Sequence, residues 1–420
     1  MPKPEKISIL RIIGPGILLA ATGVGAGDLL TATLAGSEVG LSLLWAVAAG
    51  ALLKWALSEG IARWQLATES TVLEGWVWKL GRWIQWLFLA YLLFFTIVVG
   101  GALVSACGVA GSGFLLLGDA TTSRIIWGVL HSAAGFLLVR YGSFRLFERL
   151  MSICIGIMFV TVVATVFLMS PDWPAVARGF VPSIPEQGTA WLVAVVGGVG
   201  GTVTLLSYGY WIREENRSGR EGMRICRIDL AAGYIMTALF GFSVIIIGSR
   251  LEVTGQGATL ALQLADQLAL ALGDWGRPFF LAGFWGAVFS SLLGVWQSIP
   301  FMFADFMDLR RGVKPGVRSN ADLSKSMAYR GYLTVLATVS LVFLWTPVRQ
   351  IQLLYGVIGA LFLPLLGLTL LIMNNRERWV GSDFRSRWPE NLILASGLLF
   401  FAWVAAIEIY DQLTQLFTAG

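Results

Sequence analysis

The chain has 420 residues, 56% hydrophobic and only 13% charged, with 30 Lys and Arg against 25 Asp and Glu for a formal net charge of +5. A soluble domain carries about 25% charged residues, so this composition, with a mean hydropathy of +0.74, excludes an ordinary soluble enzyme or binding domain. The basic balance comes in short runs between long apolar stretches, which is a membrane-orientation signal and not a nucleic-acid footprint.

A helix needs about 20 apolar residues to cross a ~30 Å hydrocarbon core. Eleven spans are expected, at 10–37, 40–63, 84–108, 123–140, 149–169, 189–211, 225–249, 277–303, 330–346, 350–373 and 391–411. Lys3, Lys6 and Arg11 precede the first, which lacks a small-residue cleavage site and reads as a span that stays. With the N-terminus in the cytoplasm, the inner segments hold Arg63, Lys79, Arg82, Arg140, Arg145 and the runs Arg213–Arg227, Arg310–Arg330 and Arg376–Arg387. The outer side holds only Arg124, Arg178, Arg250, Arg277 and Arg349. This bias fixes an odd number of spans, with the C-terminus outside. The membrane is expected to be a plasma or bacterial inner membrane.

Two spans carry glycine runs at their middles. The first reads Gly14-Pro15-Gly16 and then Gly23-Val24-Gly25-Ala26-Gly27-Asp28. The sixth reads Gly197-Gly198-Val199-Gly200-Gly201-Thr202. They lie five spans apart, the pattern expected of inverted repeats whose broken helices form a midplane binding site. Unwinding frees backbone groups that lipid cannot satisfy, and glycine tolerates the dihedrals required. On this reading 10–169 and 189–373 are two five-helix repeats, 391–411 is an extra helix, and the whole chain is one transporter domain. The bland alternative is that these glycines are close-packing contacts.

Asp28 is the first residue to single out, because a carboxylate near the midplane is expensive and usually functional. Preceding Leu29-Leu30-Thr31, it also suits a helix N-cap. Lys54, inside the second span, needs a carboxylate, a wet vestibule or a snorkelling route. Glu59 lies one residue beyond i, i+4 spacing, and pairing with Asp28 stays open. His131, the one histidine, reads as a hydrogen-bonded core residue before a proton relay. Cys107, Cys154 and Cys226 match no metal or redox spacing.

Several stretches resemble the Nramp divalent-metal transporters. Gly14-Pro15-Gly16 through Ala35-Gly36 to Leu43-Leu44-Trp45 is similar to the family's opening. Leu354 to Asn374, with Pro364-Leu365-Leu366, then Arg378-Trp379-Val380-Gly381, is similar to its tenth span and exit. The resemblance covers nearly the whole chain. It implies an all-α LeuT-like fold of eleven transmembrane helices, with 5+5 inverted repeats and broken helices 1 and 6. The signature residues differ. Where the family has Asp-Pro-Gly-Asn, this chain has Gly25-Ala26-Gly27-Asp28. The sixth-span Met-Pro-His-Asn falls at Thr204-Leu205-Leu206-Ser207, and the second sixth-span histidine falls at Trp211. The third-span acids of the family's proton path have no counterpart in Thr96-Ile97-Val98-Val99-Gly100.

Taken residue by residue, the resemblance implies a substrate site of Gly25, Gly27, Asp28, Thr204 and Ser207, with Asp28 as the metal ligand. These are hard oxygens and backbone groups, suited to Mg²⁺ or hydrated Mn²⁺ and not to soft transition metals. The family's proton coupling is not expected. Lys54, Tyr208, Tyr210 and Trp211 are candidate gate or tuning residues, the aromatics reading either as a wall for an organic cation or as packing. The alternatives are a transporter of another solute, such as an organic cation or amino acid, or a non-transporting relative. An enzyme is not expected, since no nucleophile–base pair, metal-ligand motif or phosphate loop appears. No resident cofactor is expected. The expected partners are a small ion or molecule as substrate and the lipid bilayer, with no nucleic acid; a monomer is compatible with the sequence.

Overall fold

The computed structural model describes residues 25, 27–142, 144–185, 188–198, 200–251, 263, 266, 276–312 and 323–418. Among these, nine helices are long and apolar enough to cross a membrane. One of them, Leu29–Thr68, joins the described end of the first expected span to the second, and the fifth span adds the apolar stretch Gly156–Leu168. In lipid a backbone must satisfy itself, so long apolar runs fold as helices.

The described part of the first span is a wide π-turn, Gly27–Thr31, leading into Ala32–Val39. The chain turns at Gly40, whose φ of 64° an L side chain resists. The second span follows as Leu44–Thr68, the third as Arg82–Phe114, the fourth as Ala120–Tyr141 and the fifth as Phe144–Leu168. The sixth is divided into Thr189–Gly198 and Ser207–Glu214. The seventh, eighth, ninth, tenth and eleventh are Gly219–Gly248, Gly276–Arg310, Met327–Val339, Val348–Asn374 and Trp388–Thr418. The Gly14–Gly16 and Gly23 portion of the expected first break lies outside the described residues.

Small residues set how closely the spans approach. Gly197 of the sixth span has no room for a Cβ against the Gly356 carbonyl and Ala360 of the tenth, and Gly356 packs in turn on Ala194. Gly248 of the seventh meets the backbone of Thr33 in the first. With no hydrophobic drive between helices in lipid, such backbone proximity is what associates them. Large apolar side chains left exposed, among them Leu130, Phe167, Val342 and Leu399, form the surface that lipid covers. Trp83 and Trp86, exposed at the start of the third span, sit where indoles favour the membrane boundary.

The charged Arg124 near the start of the fourth span is 2% exposed. Its guanidinium donates to the carbonyls of Leu344 and Thr346 at 2.7 and 3.0 Å and to Ser105 Oγ at 2.9 Å. It thereby satisfies the carbonyls left over where the 3₁₀ turn Ser340–Trp345 ends.

Candidate functional site: the break in the sixth span

The helix Thr189–Gly198 stops at its glycine run. Gly200 and Gly201 take φ of 77° and 80°, and Thr202 follows at φ −138°, ψ −98°. A 3₁₀ turn, Val203–Leu206, then restarts the chain into Ser207–Glu214, its first bond running from the Leu205 amide to the Thr202 carbonyl at 3.0 Å. Left-handed backbone at two successive residues is accessible to glycine and strained for other residues. The four expected positions 197, 198, 200 and 201 thus mark a real interruption.

Lys54 points into this interruption. It is fully buried, and its Nζ donates to the Gly197 carbonyl at 2.8 Å. That carbonyl is among the last of its helix, at the negative end of the dipole, where a cation is favoured. The seventh span packs close to the break: a Cβ at Gly200 would lie 3.2 Å from Tyr234 Cε1 and 3.3 Å from Thr237 Cγ2. One turn further along the second span, Ser58 Oγ and the Tyr234 hydroxyl share a hydrogen bond of 2.8 Å.

Thr204 and Ser207 are buried, at 3% and 4% exposure. Ser207 lines a cavity of about 30 Å³ with Tyr210, Trp211, Gln297, Ser298 and Phe301. Ser298 Oγ is buried there with no hydrogen-bond partner among the described residues. A polar cavity of this size holds a water or a small ion. Gln297 and Ser298 were not singled out from the sequence; a Gln-Ser pair just before the mid-helix Pro300 was the available signal.

The three aromatic candidates separate. Tyr210 donates to Asp305 Oδ2 at 2.7 Å, linking the sixth span to the eighth, and its ring meets Phe301 edge to face. Trp211 lines the small cavity. Tyr208 instead donates to Asp229 Oδ2 at 2.9 Å, beside the 2.9 Å ion pair between Arg217, just before the seventh span, and Asp229 within it. It belongs to that buried network and not to the cavity wall.

Gly25 is buried against the eighth span, where a Cβ would overlap Ser291 Cβ and Oγ and crowd the Ala287 carbonyl. Gly27 opens the π-turn, and Leu29 N donates to Gly25 O at 2.8 Å. The Asp28 side chain lies outside the described residues, so its capping and ligand roles both stand as proposals. Thr31 Oγ1 reaches the Gln352 carbonyl of the tenth span at 3.4 Å.

Two further polar contacts join spans through neutral groups. Thr96 shares a 2.7 Å hydrogen bond with the Tyr332 hydroxyl between the third and ninth spans. His131 Nδ1 lies 2.7 Å from the Trp127 carbonyl while Nε2 accepts from Trp285 Nε1 at 2.7 Å. That arrangement fixes the neutral tautomer and engages both nitrogens. No group of three His, Cys, Asp or Glu able to hold a metal occurs among the described residues.

Residues 16–411 match the family model for natural resistance-associated macrophage protein-like (Nramp) proteins. The chain belongs to the Nramp family. It is 22% identical to the divalent metal cation transporter MntH of Brucella suis, over 90% of this chain and 83% of that one. To MntH 1 of Pseudomonas aeruginosa it is 29% identical, over 71% and 69%. An uncharacterized Pasteurella multocida protein matches at 23% over 63% of each chain. Among solved structures, a mutant manganese transporter of Eremococcus coleocola superposes with a TM-score of 0.76 at 16% identity, covering 99% of this chain and 90% of that one. MhsT in complex with L-phenylalanine superposes at 0.55 and 15% identity, covering 96% and 98%. The Nramp fold, and with it the LeuT-like architecture, is therefore that of this chain. Against that frame the position expected for the Nramp first-span carboxylate is Gly25, closed by Ser291.

Proposed function

We propose that this Nramp protein carries a hard divalent cation, Mg²⁺ or Mn²⁺, through the break in its sixth span, without the family's usual proton coupling. The observation that carries this reading is the chemistry beside the break: the Ser207 and Ser298 hydroxyls, the Gln297 amide and the carbonyls freed by the unwinding. None of the residues lining the cavity brings a thioether, thiol or imidazole, and hard oxygens suit Mg²⁺ and Mn²⁺ over Fe²⁺ or Zn²⁺. Thr204 and Asp28 are proposed to complete the set, with Asp28 bringing the negative charge.

Lys54 shapes what kind of ion this is. A +2 charge ~6 Å from an ammonium meets about 5–6 kcal/mol of repulsion at an effective dielectric of ~20. A bare ion pressed against the Gly197 carbonyl is therefore disfavoured, and an ion keeping part of its water shell at greater distance is favoured, as Mg²⁺ tolerates.

The same ammonium favours one second reading. A zwitterionic amino acid would place its carboxylate on Lys54, replacing the Gly197 carbonyl as acceptor. Isothermal titration of the purified protein with Mg²⁺, Mn²⁺, Ca²⁺ and an amino-acid panel separates the two. Saturable heat from a divalent ion that disappears in Asp28→Ala supports metal transport. Heat from an amino acid alone, lost in Lys54→Met, replaces it with the second reading.

A further inference from the structure

A second cavity, of about 450 Å³, lies where the second and seventh spans meet the segment before the last helix. Its walls carry six arginines, Arg63, Arg220, Arg224, Arg227, Arg385 and Arg387, and one acid, Asp383. Its volume falls within the range of small-ligand sites.

The charge balance shows which arginines are committed. Glu59 Oε1 accepts from Arg63 at 2.5 Å and from Arg227 at 2.8 Å. Glu390 Oε1 accepts from the same two, at 3.3 and 3.0 Å. Arg63 also donates to the carbonyls of Phe384 and Arg385, at 3.3 and 3.2 Å, so its side chain, 3% exposed, is a fixed floor. Arg220 pairs with Asp383, and Arg385 lies 3.9 Å from Glu377. Arg224 and Arg387 face the same cavity, and neither has a carboxylate within ion-pair distance among the described residues. Six guanidiniums against four carboxylates leave an excess of two positive charges inside one concave site.

A charge bias that merely orients a membrane protein needs no cavity and no buried floor. Here planar guanidiniums converge from three directions, the geometry that receives a tetrahedral oxyanion through paired N–H donors. The site also sits at the ends of three membrane helices, the level of lipid headgroups, where basic pockets between helices take phosphate-bearing heads.

We propose that this arginine-lined cavity binds a phosphate-bearing anion carrying at least two negative charges, either the headgroup of an anionic phospholipid or a soluble pyrophosphate-type compound. Arg224 and Arg387 are its primary contacts and Arg63 with Arg227 its fixed base. The inference does not depend on what the sixth-span break carries.

The test uses the full chain and the double variant Arg224→Gln/Arg387→Gln, which leaves the buried ion pairs intact. Arg82→Gln/Arg140→Gln removes the same charge from the same expected face outside the cavity. Native mass spectrometry from nanodiscs of phosphatidylcholine with cardiolipin reads lipid retention, and thermal unfolding in detergent with millimolar inorganic pyrophosphate reads soluble binding. A cardiolipin adduct retained by the parent protein and reduced at least tenfold in the cavity variant alone identifies the lipid source. A saturable rise in melting temperature with pyrophosphate, lost in that variant alone, identifies the soluble source. Equal loss in both variants, or no saturable binding of either probe to the parent protein, overturns the proposal.

Discussion

The Lys54 ammonium and the Gly197 carbonyl, 2.8 Å apart, join the second span to the broken end of the sixth. A carbonyl at a helix C-terminus inside a membrane needs a donor, and the second span supplies it. Lys54→Met removes that donor and leaves Gly197 O without it. A buried acceptor stripped of its partner costs about 1–3 kcal/mol. The expected result is a lower melting temperature in detergent, with Lys54→Arg closer to the parent. Unchanged stability in Lys54→Met would mean that the carbonyl finds water instead.

Restoring the family's carboxylate should fail. Gly25→Asp forces a side chain into Ser291 and the Ala287 carbonyl, and overpacking of this kind costs about 1–3 kcal/mol before the burial of a charge is added. The variant is expected to lose monodisperse elution on size exclusion. Gly25→Asp combined with Ser291→Gly is expected to recover it in part.

The buried network around Glu59 gives a prediction with a built-in control. Glu59→Ala leaves the buried Arg63 with Glu390 as its one remaining carboxylate among the described residues, beside the Phe384 and Arg385 carbonyls, a loss of about 3–5 kcal/mol for a broken buried pair. Arg277→Ala removes a partner of Asp266, a pair whose side chains are 49% and 61% exposed, worth about 0–1 kcal/mol by surface-pair measurements. Thermal unfolding of the two variants side by side should separate them clearly.

Coupling has its own signature. Thr96 and Tyr332 form a neutral contact between the third and ninth spans, and both His131 nitrogens are engaged. Divalent uptake into proteoliposomes is expected to change less than about twofold between pH 5.5 and 7.5, where free histidines would titrate. Thr96→Val and His131→Gln should leave that profile flat. A steep dependence on an inward proton gradient would contradict the proposed mode of transport.

The spans were legible because apolar runs of the right length leave the chain few other folds, and the sixth-span break because four glycines in five residues announce backbone that other residues avoid. The side-chain assignments were legible only where the partner is local. Glu59 looks from the sequence like a near neighbour of Lys54, yet Arg63 at i, i+4 and Arg227, 168 residues later, hold it. Arg227 reads in the sequence as one more inner-face charge, since nothing local distinguishes a solvated arginine from a half-buried one paired with two acids. Tyr208 and Tyr210 are two residues apart on one short helix, and only the packing of the seventh and eighth spans sends one to Asp229 and the other to Asp305. The pressing of Gly25 against Ser291 likewise depends on how the first span meets the eighth.

The two left-handed glycines at positions 200 and 201 carry a further implication for timing. A helix that unwound only on meeting its cargo would have to break hydrogen bonds in step with an ion shedding water, coupling two slow events. Here the dihedrals are already set by residues that adopt them without strain, and Lys54 already occupies the Gly197 carbonyl. On the function proposed above, cargo would meet a preorganised gap, and its entry would exchange ligands at backbone that is already unwound.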